Sequence, residues 1–151
     1  MLFRSPPILA ETMGVRIRGP RYRRLIPAGT PLPHRIVVDD LLALPASGRS
    51  IRVPLYRGDA AHVLDNQPLV TLEIQVPEEV AAPRHRGGAR LALSLKVSRN
   101  KVLTAAAWLR DCPGVRARIQ VKNPYRAQDP HREREDLPFV DDLEEAHSDE
   151  V

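Results

Sequence analysis

The chain has 151 residues and a mass of 16.9 kDa, which is enough for one domain and a tail but too short for a large enzyme with a separate nucleotide-binding half. Its 15 prolines disfavour a long helical bundle, because proline interrupts helices and central strands. The single cysteine, Cys112, excludes an internal disulfide framework and a zinc site built from cysteines.

Alternating apolar and polar residues predict antiparallel strands, because every second side chain of a strand faces the same side. The segment 102–108 is more uniformly apolar and its alanines also suit a helix, but seven residues between polar turns favour a strand. Pro54 predicts that its strand is an edge strand or carries a bulge. In chain order, the predicted strands span 12–17, 23–26, 35–38, 51–55, 70–76, 91–97, 102–108 and 115–121.

Turn residues separate the strands at 57–59, 98–101 and 112–114. The segment 98–101 is short enough to join two strands as a hairpin. Several short strands at regular spacing are typical of an antiparallel sandwich. We therefore predict an all-β fold: an antiparallel β-sandwich of about eight strands with a disordered acidic C-terminal tail.

Charge divides the chain into a basic body and an acidic tail. Residues 1–125 hold 20 Lys+Arg and nine Asp+Glu, a net charge of +11, whereas residues 126–151 hold three and ten, a net charge of −7. We predict a β-sandwich domain over 1–125 and a disordered tail over 126–151, in which the apolar cluster at 137–143 could form a short helix on contact. The basic body suggests an anionic partner or screening by the tail, but an arginine-rich solvated surface is the simpler explanation.

The sequence offers no constellation of residues for catalysis or metal binding. The five histidines lack metal-ligand spacing, there is no Gly-rich phosphate loop, and the paired acids at 39–40 and 78–79 fall in predicted loops. We expect no enzymatic activity, no cofactor and no metal. No apolar run reaches the ~18 residues of a membrane-spanning helix, and the first ten residues are too short and too proline-rich for a signal peptide. A soluble cytoplasmic protein with no membrane partner is therefore expected.

Five segments in one order carry a resemblance to a known family. They read ETMG at 11–14, LIPAGTPLP at 25–33, IRVPLYRGD at 51–59, NQPL at 66–69 and LALSLKVSRNKVLTAAA at 91–107. Together they resemble the β-sandwich substrate-binding domain of the DnaK-type, seventy-kilodalton heat-shock chaperones, over about residues 9–122. No single segment is specific, and the resemblance lies in their order and spacing.

This resemblance implies a channel at one end of the sandwich. Backbone groups of the channel would hydrogen-bond an extended peptide, and a hydrophobic pocket would take one aliphatic side chain. The implied peptide-binding residues are Ala10, Thr12 and Met13 on the first channel segment, and Ile51 and Val53 on the fourth strand. The alternation of Ile51 and Val53 fits an ordinary core equally well.

The implied partners are unfolded or extended polypeptide segments, together with a separate ATPase domain or chaperone partner, because the family's ATPase domain and helical lid have no counterpart in this sequence. Three departures from the family pattern stand out. Val15 replaces a second glycine, the segment 12–25 is longer and arginine-rich, and the residues at 99–101 replace the family's aspartate-glycine hairpin. The third channel segment would fall in 37–49, where the register is not determined.

The expected function is chaperone-type binding of extended, hydrophobic segments of unfolded polypeptides, without an ATPase of its own. Two alternatives stay open: a β-sandwich interaction or scaffold domain that has lost general peptide binding, and a weak nucleic-acid or anion binder acting through the arginine-rich body. A nucleic-acid partner is not expected, because aromatic residues for stacking make up only 4% of the chain. In a further variant, the segment 137–143 occupies the channel as a pseudo-client.

Overall fold

The computed structural model describes residues 7–19, 21–43, 50–77, 89–122, 124 and 140–142. Within these residues the chain forms nine β-strands and one 3-10 turn at Val63–Asp65, and no α-helix. The strands are β1 (Met13–Arg16), β2 (Tyr22–Ile26), β3 (His34–Ala43), β4 (Ser50–Arg57), β5 (Gln67–Gln75), β6 (Ala89–Val97), β7 (Leu103–Leu109), β8 (Cys112–Val121) and β9 (Val140–Asp142).

Two antiparallel sheets form a β-sandwich, which confirms the predicted fold class. Their strand orders are β2-β1-β4-β5 and β8-β7-β6-β3-β9. The predicted hairpin joins β6 to β7, where the N–H of Lys101 donates to the carbonyl of Ser98 at 2.9 Å. Lys101 has a φ of 62°, in the left-handed region, which is the conformation that reverses the chain there.

Local details differ from the sequence-based prediction. Cys112, Pro113 and Gly114 belong to β8, so the turn before it falls earlier, at 110–111. The acids at 39–40 lie within β3 rather than in a loop. Pro54 lies in β4, a central strand, but the pairing of β4 with β1 covers only 55–57, so no β1 residue is paired opposite Pro54. The predicted irregularity occurs beside it, as a register shift between 55 and 56.

An aliphatic core fills the space between the sheets. In β7 the inward-facing residues Leu103, Ala105, Ala107 and Leu109 are at most 1% exposed, and they alternate with partly exposed residues. Among the described residues, no helix has the length and apolar character needed to cross a membrane.

The ninth strand was not predicted. Val140–Asp142 come from the segment expected to be a disordered tail, and they form the edge strand of the second sheet. The rest of the predicted tail, together with the predicted domain boundary at 125, lies outside the described residues.

Candidate peptide-binding site

The C-terminal end of β3 pairs with an extended segment that is almost a hundred residues away in sequence. On one side, β3 pairs with β6 over 34–38 and 41–43, with a register shift between the two parts. On the other side, its pairing within the described residues is limited to 41–43, where β9 runs antiparallel with Val140 opposite Ala43 and Asp142 opposite Leu41. Backbone pairing at a sheet edge is a general way of binding an extended peptide, and its main-chain hydrogen bonds are available to any sequence without proline.

One buried aliphatic side chain accompanies this pairing. Val140 is 0% exposed and belongs to the hydrophobic core, as do Leu41 and Ala43 of β3. Burying a valine side chain contributes about 1.5–3 kcal/mol. The end of β3 therefore has the two features needed to hold a short extended segment, namely an edge for its backbone and a core position for one aliphatic side chain.

The predicted pocket residues Ile51 and Val53 follow β3 closely in the chain. β4 begins at Ser50, so six residues separate it from Ala43, the last residue of β3. Ile51 is 9% exposed and Val53 is 0% exposed, and both belong to the same core cluster as Val140. They are core residues in this structure and present almost no surface of their own.

Ala10, Thr12 and Met13 are held at the opposite end of the sandwich. Met13 lies opposite Arg57, the last residue of β4. Six strand positions separate Arg57 from Ile51, or about 20 Å at the usual rise of a strand. Thr12 and Met13 are buried, and Ala10 is exposed. The structure thus does not bring the two predicted parts of the channel together.

The arginine-rich segment contributes to an antiparallel pair of strands. β1 pairs with β2, the N–H of Ile17 donates to the carbonyl of Arg21 at 3.0 Å, and Gly19 adopts a φ of 74°. The ETMG motif consequently leads into β1 rather than forming a loop of a channel.

Thr12 fastens three segments to one another. Its hydroxyl donates to Oδ1 of Asp59 at 2.8 Å and accepts from the N–H of Ala28 at 2.9 Å, while its carbonyl accepts from the N–H of Gly58 at 2.8 Å. The hydroxyl of Tyr22 donates to the carbonyl of Gly58 at 3.0 Å. We call Thr12, Tyr22 and Asp59 the polar latch.

Close packing surrounds the phenol of the latch. Burial, and after it the charge of Asp59, raise the pKa of Tyr22 well above its ordinary value of 10, so the hydroxyl keeps its proton and remains a donor. A Cβ at Gly14 would meet the Tyr22 ring at 2.8 Å and would also clash with the carbonyl oxygen of Arg23. Only glycine fits at this position without a shift of the neighbouring strand.

Gly58 and Asn66 pack against each other at the same end of the sandwich as the polar latch. Gly58 has a φ of 130°, and a Cβ there would clash with Oδ1 of Asn66. The Asn66 side chain accepts from the N–H of Ala60 at 3.0 Å and donates to its carbonyl at 2.9 Å. These parts of the ETMG, RGD and NQPL segments therefore have structural roles that the sequence did not distinguish from binding roles.

Sequence reasoning missed Leu41, Ala43 and Val140 as site residues. One available signal was the apolar cluster at 137–143 within an otherwise charged segment, which was interpreted as a short helix formed on contact or as a pseudo-client. The pairing partner could not be inferred, because the register of 37–49 was not determined. Within the part of the chain that the structure describes, no three histidine, cysteine or carboxylate residues are grouped so that they could hold a metal ion.

Comparison of the chain with protein-family models found no match, and comparison with curated proteins found none either.

Proposed function

We propose that this chain is a chaperone-type module that binds extended, hydrophobic polypeptide segments by adding them as a strand to the edge of β3. The observation that carries the proposal is the pairing of β9 with residues 41–43 and the complete burial of Val140. Sequence resemblance to the chaperone domain supports the same chemistry, since both require main-chain pairing and one aliphatic side chain. In this proposal the chain binds without an ATPase of its own, a separate ATPase domain or chaperone stays a proposed partner, and the proposed location is the cytoplasm.

β9 is then an internal occupant of the site. Seventeen residues separate Lys122 from Val140, so β9 is tethered close to its site, at an effective concentration on the order of millimolar. A free peptide of similar intrinsic affinity competes with this tethered strand, which lowers its apparent affinity in proportion to the fraction of open sites. Binding of clients is therefore expected to be weak in the intact chain and stronger when β9 is released.

The test is fluorescence anisotropy with two labelled peptides, one leucine-rich and basic, the other copying residues 137–143. The intact chain is compared with Val140→Asp, in which the charge cannot be buried in the core. We expect both peptides to bind Val140→Asp at least about tenfold more tightly. Asp141→Pro with Asp142→Pro releases β9 by a different route, because one of two consecutive N–H groups of a strand faces its neighbour, and it should act in the same direction.

Control measurements locate the site. Thr12→Val alters the polar latch at the opposite end, so it should leave the peptide affinity of the folded protein unchanged. Circular dichroism establishes that each variant is folded. Absence of binding to all variants at high micromolar protein contradicts the proposal, and equal binding with and without β9 places any peptide site elsewhere.

A second candidate is an interaction domain with one dedicated ligand. It is favoured by the burial of the predicted peptide-binding residues Met13 and Val53, both 0% exposed, and by the presence of a strand from the chain itself on the edge of β3. This candidate predicts that the 137–143 peptide binds Val140→Asp and the leucine-rich peptide does not. Binding of both peptides supports the chaperone-type function instead.

A further inference from the structure

The outer face of the second sheet carries basic side chains from β6, from β8 and from the residue after β8. Arg116, Arg118 and Gln120 of β8 are exposed, and they alternate with residues that pack against the core. Register places Arg116 opposite Trp108 and Arg118 opposite Ala106 on β7. The exposed Lys96 of β6 is opposite Thr104 in the same way.

Two adjacent grooves run along this face and meet at Arg118. The first encloses about 570 Å³ and is lined by Ala106, Trp108, Pro113, Arg116, Ala117 and Arg118. The second encloses about 400 Å³, and its lining includes Lys96, Thr104, Arg118, Gln120 and Lys122. None of the described residues that line either groove is acidic.

The four cations of this face, Arg116, Arg118, Lys96 and Lys122, form no ion pair with any described acidic residue. Along β8, positions 116 to 122 span about 20 Å, and alternate residues are about 7 Å apart. Arg116 and Arg118 act together, because their spacing is within the Debye length of ~8 Å at physiological ionic strength, and Lys122 extends the positive charge about 13 Å beyond Arg118. The face therefore attracts an extended polyanion more than a single small anion.

We propose that this face, which we call the basic face and define by Lys96, Trp108, Arg116, Arg118 and Lys122, binds single-stranded nucleic acid. Arginine side chains match phosphate groups with paired donors, and the half-buried indole of Trp108 lines the same groove as both arginines. Bases stack on aromatic side chains of a sheet surface in several single-strand-binding folds. An acidic polypeptide would use the cations but would have no need of the indole.

The basic face is separate from the edge where β9 binds. β8 and β9 are the two outer strands of the five-stranded sheet, so four inter-strand spacings, about 19 Å, lie between them. Nucleic-acid binding thus stands independently of the proposed peptide binding, and Val140→Asp should leave it unchanged.

The experiment titrates the full chain into a labelled oligo-deoxythymidine of about 20 nucleotides, and into an oligo-uridine of equal length, between about 50 and 200 mM salt. With four phosphate contacts, the slope of log K against log salt should be about −3, at roughly −0.7 per contact. Trp108 is the only tryptophan, so a saturable change in intrinsic fluorescence reports occupation of this groove.

Matched variants separate the basic face from net charge. Arg116→Gln with Arg118→Gln should make the salt slope shallower by about 1.4. The control, Arg24→Gln with Arg52→Gln, removes the same charge from the other sheet, together with the ion pair of Arg24 with Asp59, and should leave the slope unchanged in protein that circular dichroism shows to be folded. Trp108→Leu should weaken binding by at least about fivefold without altering the slope.

Several outcomes overturn the proposal. One is the absence of saturable binding at low salt. Another is an equal effect of the two arginine pairs, which would indicate general attraction by net charge. A third is competition by poly-glutamate that is as effective as competition by unlabelled oligonucleotide, combined with no effect of Trp108→Leu on binding. That result would assign the face to an acidic polypeptide.

Discussion

The two ends of the sandwich are closed by different kinds of interaction. At one end the polar latch joins β1, β2 and the segment after β4 through hydrogen bonds of 2.8 to 3.0 Å between residues that are all part of the sandwich. At the other end a three-residue strand from beyond β8 covers the edge of β3 through backbone pairing and one valine. The first set of contacts depends on the identity of each residue. The second can in principle be made by any extended segment with an aliphatic residue at one position.

This difference explains why the ends suit different roles. The latch end depends on hydrogen bonds with defined distances and angles and on glycines that tolerate no side chain. Its segments are therefore specific and are not readily exchanged for other segments. An edge strand of three residues is a marginal element and opens more readily than the strands at the centre of a sheet. Exchange of one extended segment for another is therefore expected at the β9 end and not at the latch end.

The largest expected effect comes from filling the space beside the latch. Gly14→Ala places a Cβ against the backbone carbonyl of Arg23 and the ring of Tyr22, so the β1–β2 pair must move. We expect the free energy of unfolding to fall by about 2–3 kcal/mol, measured by urea denaturation. Gly114→Ala is the matched control, because nothing lies within 4 Å of its Cβ position, and it should change stability by no more than about 0.5 kcal/mol. Equal effects of the two substitutions would show that the latch end is not tightly packed.

Much of the fold could be predicted from the sequence, and the candidate sites mostly could not. Alternation along β5, β6 and β8 is a local signal, and it gave the strands and the sandwich. Alternation does not separate a core from a pocket, which is why Ile51 and Val53 remained ambiguous. Site geometry depends on pairing between distant strands: the approach of Trp108 to Arg116 follows only from the register of β7 and β8. β9 is too short and too charged for any periodicity to reveal it.

Release of β9 is expected to have an effect of intermediate size, a local increase in amide hydrogen exchange. In Val140→Asp, hydrogen–deuterium exchange at those amides of 41–43 that face β9 should become at least about tenfold faster, because this part of β3 loses its neighbour on one side, while the amides of β1 should keep their protection. In Val140→Ala the exchange rate of these amides should lie between those of wild type and Val140→Asp, because the substitution shortens the buried side chain without adding a charge. Faster exchange throughout the sandwich would contradict the view that β9 is a separable strand.

The smallest expected effect concerns the hydroxyl proton of Tyr22 in the polar latch. Tyr22→Phe removes a hydroxyl that donates to the carbonyls of Tyr56 and Gly58, and should cost about 1 kcal/mol at neutral pH. The folded protein raises the pKa of Tyr22 above 10, whereas the unfolded chain ionises near 10, so the unfolded state binds fewer protons as the pH rises through this range. Wild-type stability should therefore fall above pH ~10 more steeply than that of Tyr22→Phe, by up to about 1.4 kcal/mol per pH unit. The other tyrosines and the lysines are present in both proteins, so their titration cancels in the difference.

Parallel stability curves of wild type and Tyr22→Phe from pH ~8 to ~11 would mean that the phenol is not buried as the structure places it. The expected result is that the stability difference between wild type and Tyr22→Phe shrinks as the pH rises. It would show that the latch holds a neutral hydroxyl, so this end of the sandwich depends on the identity of the residue that supplies it.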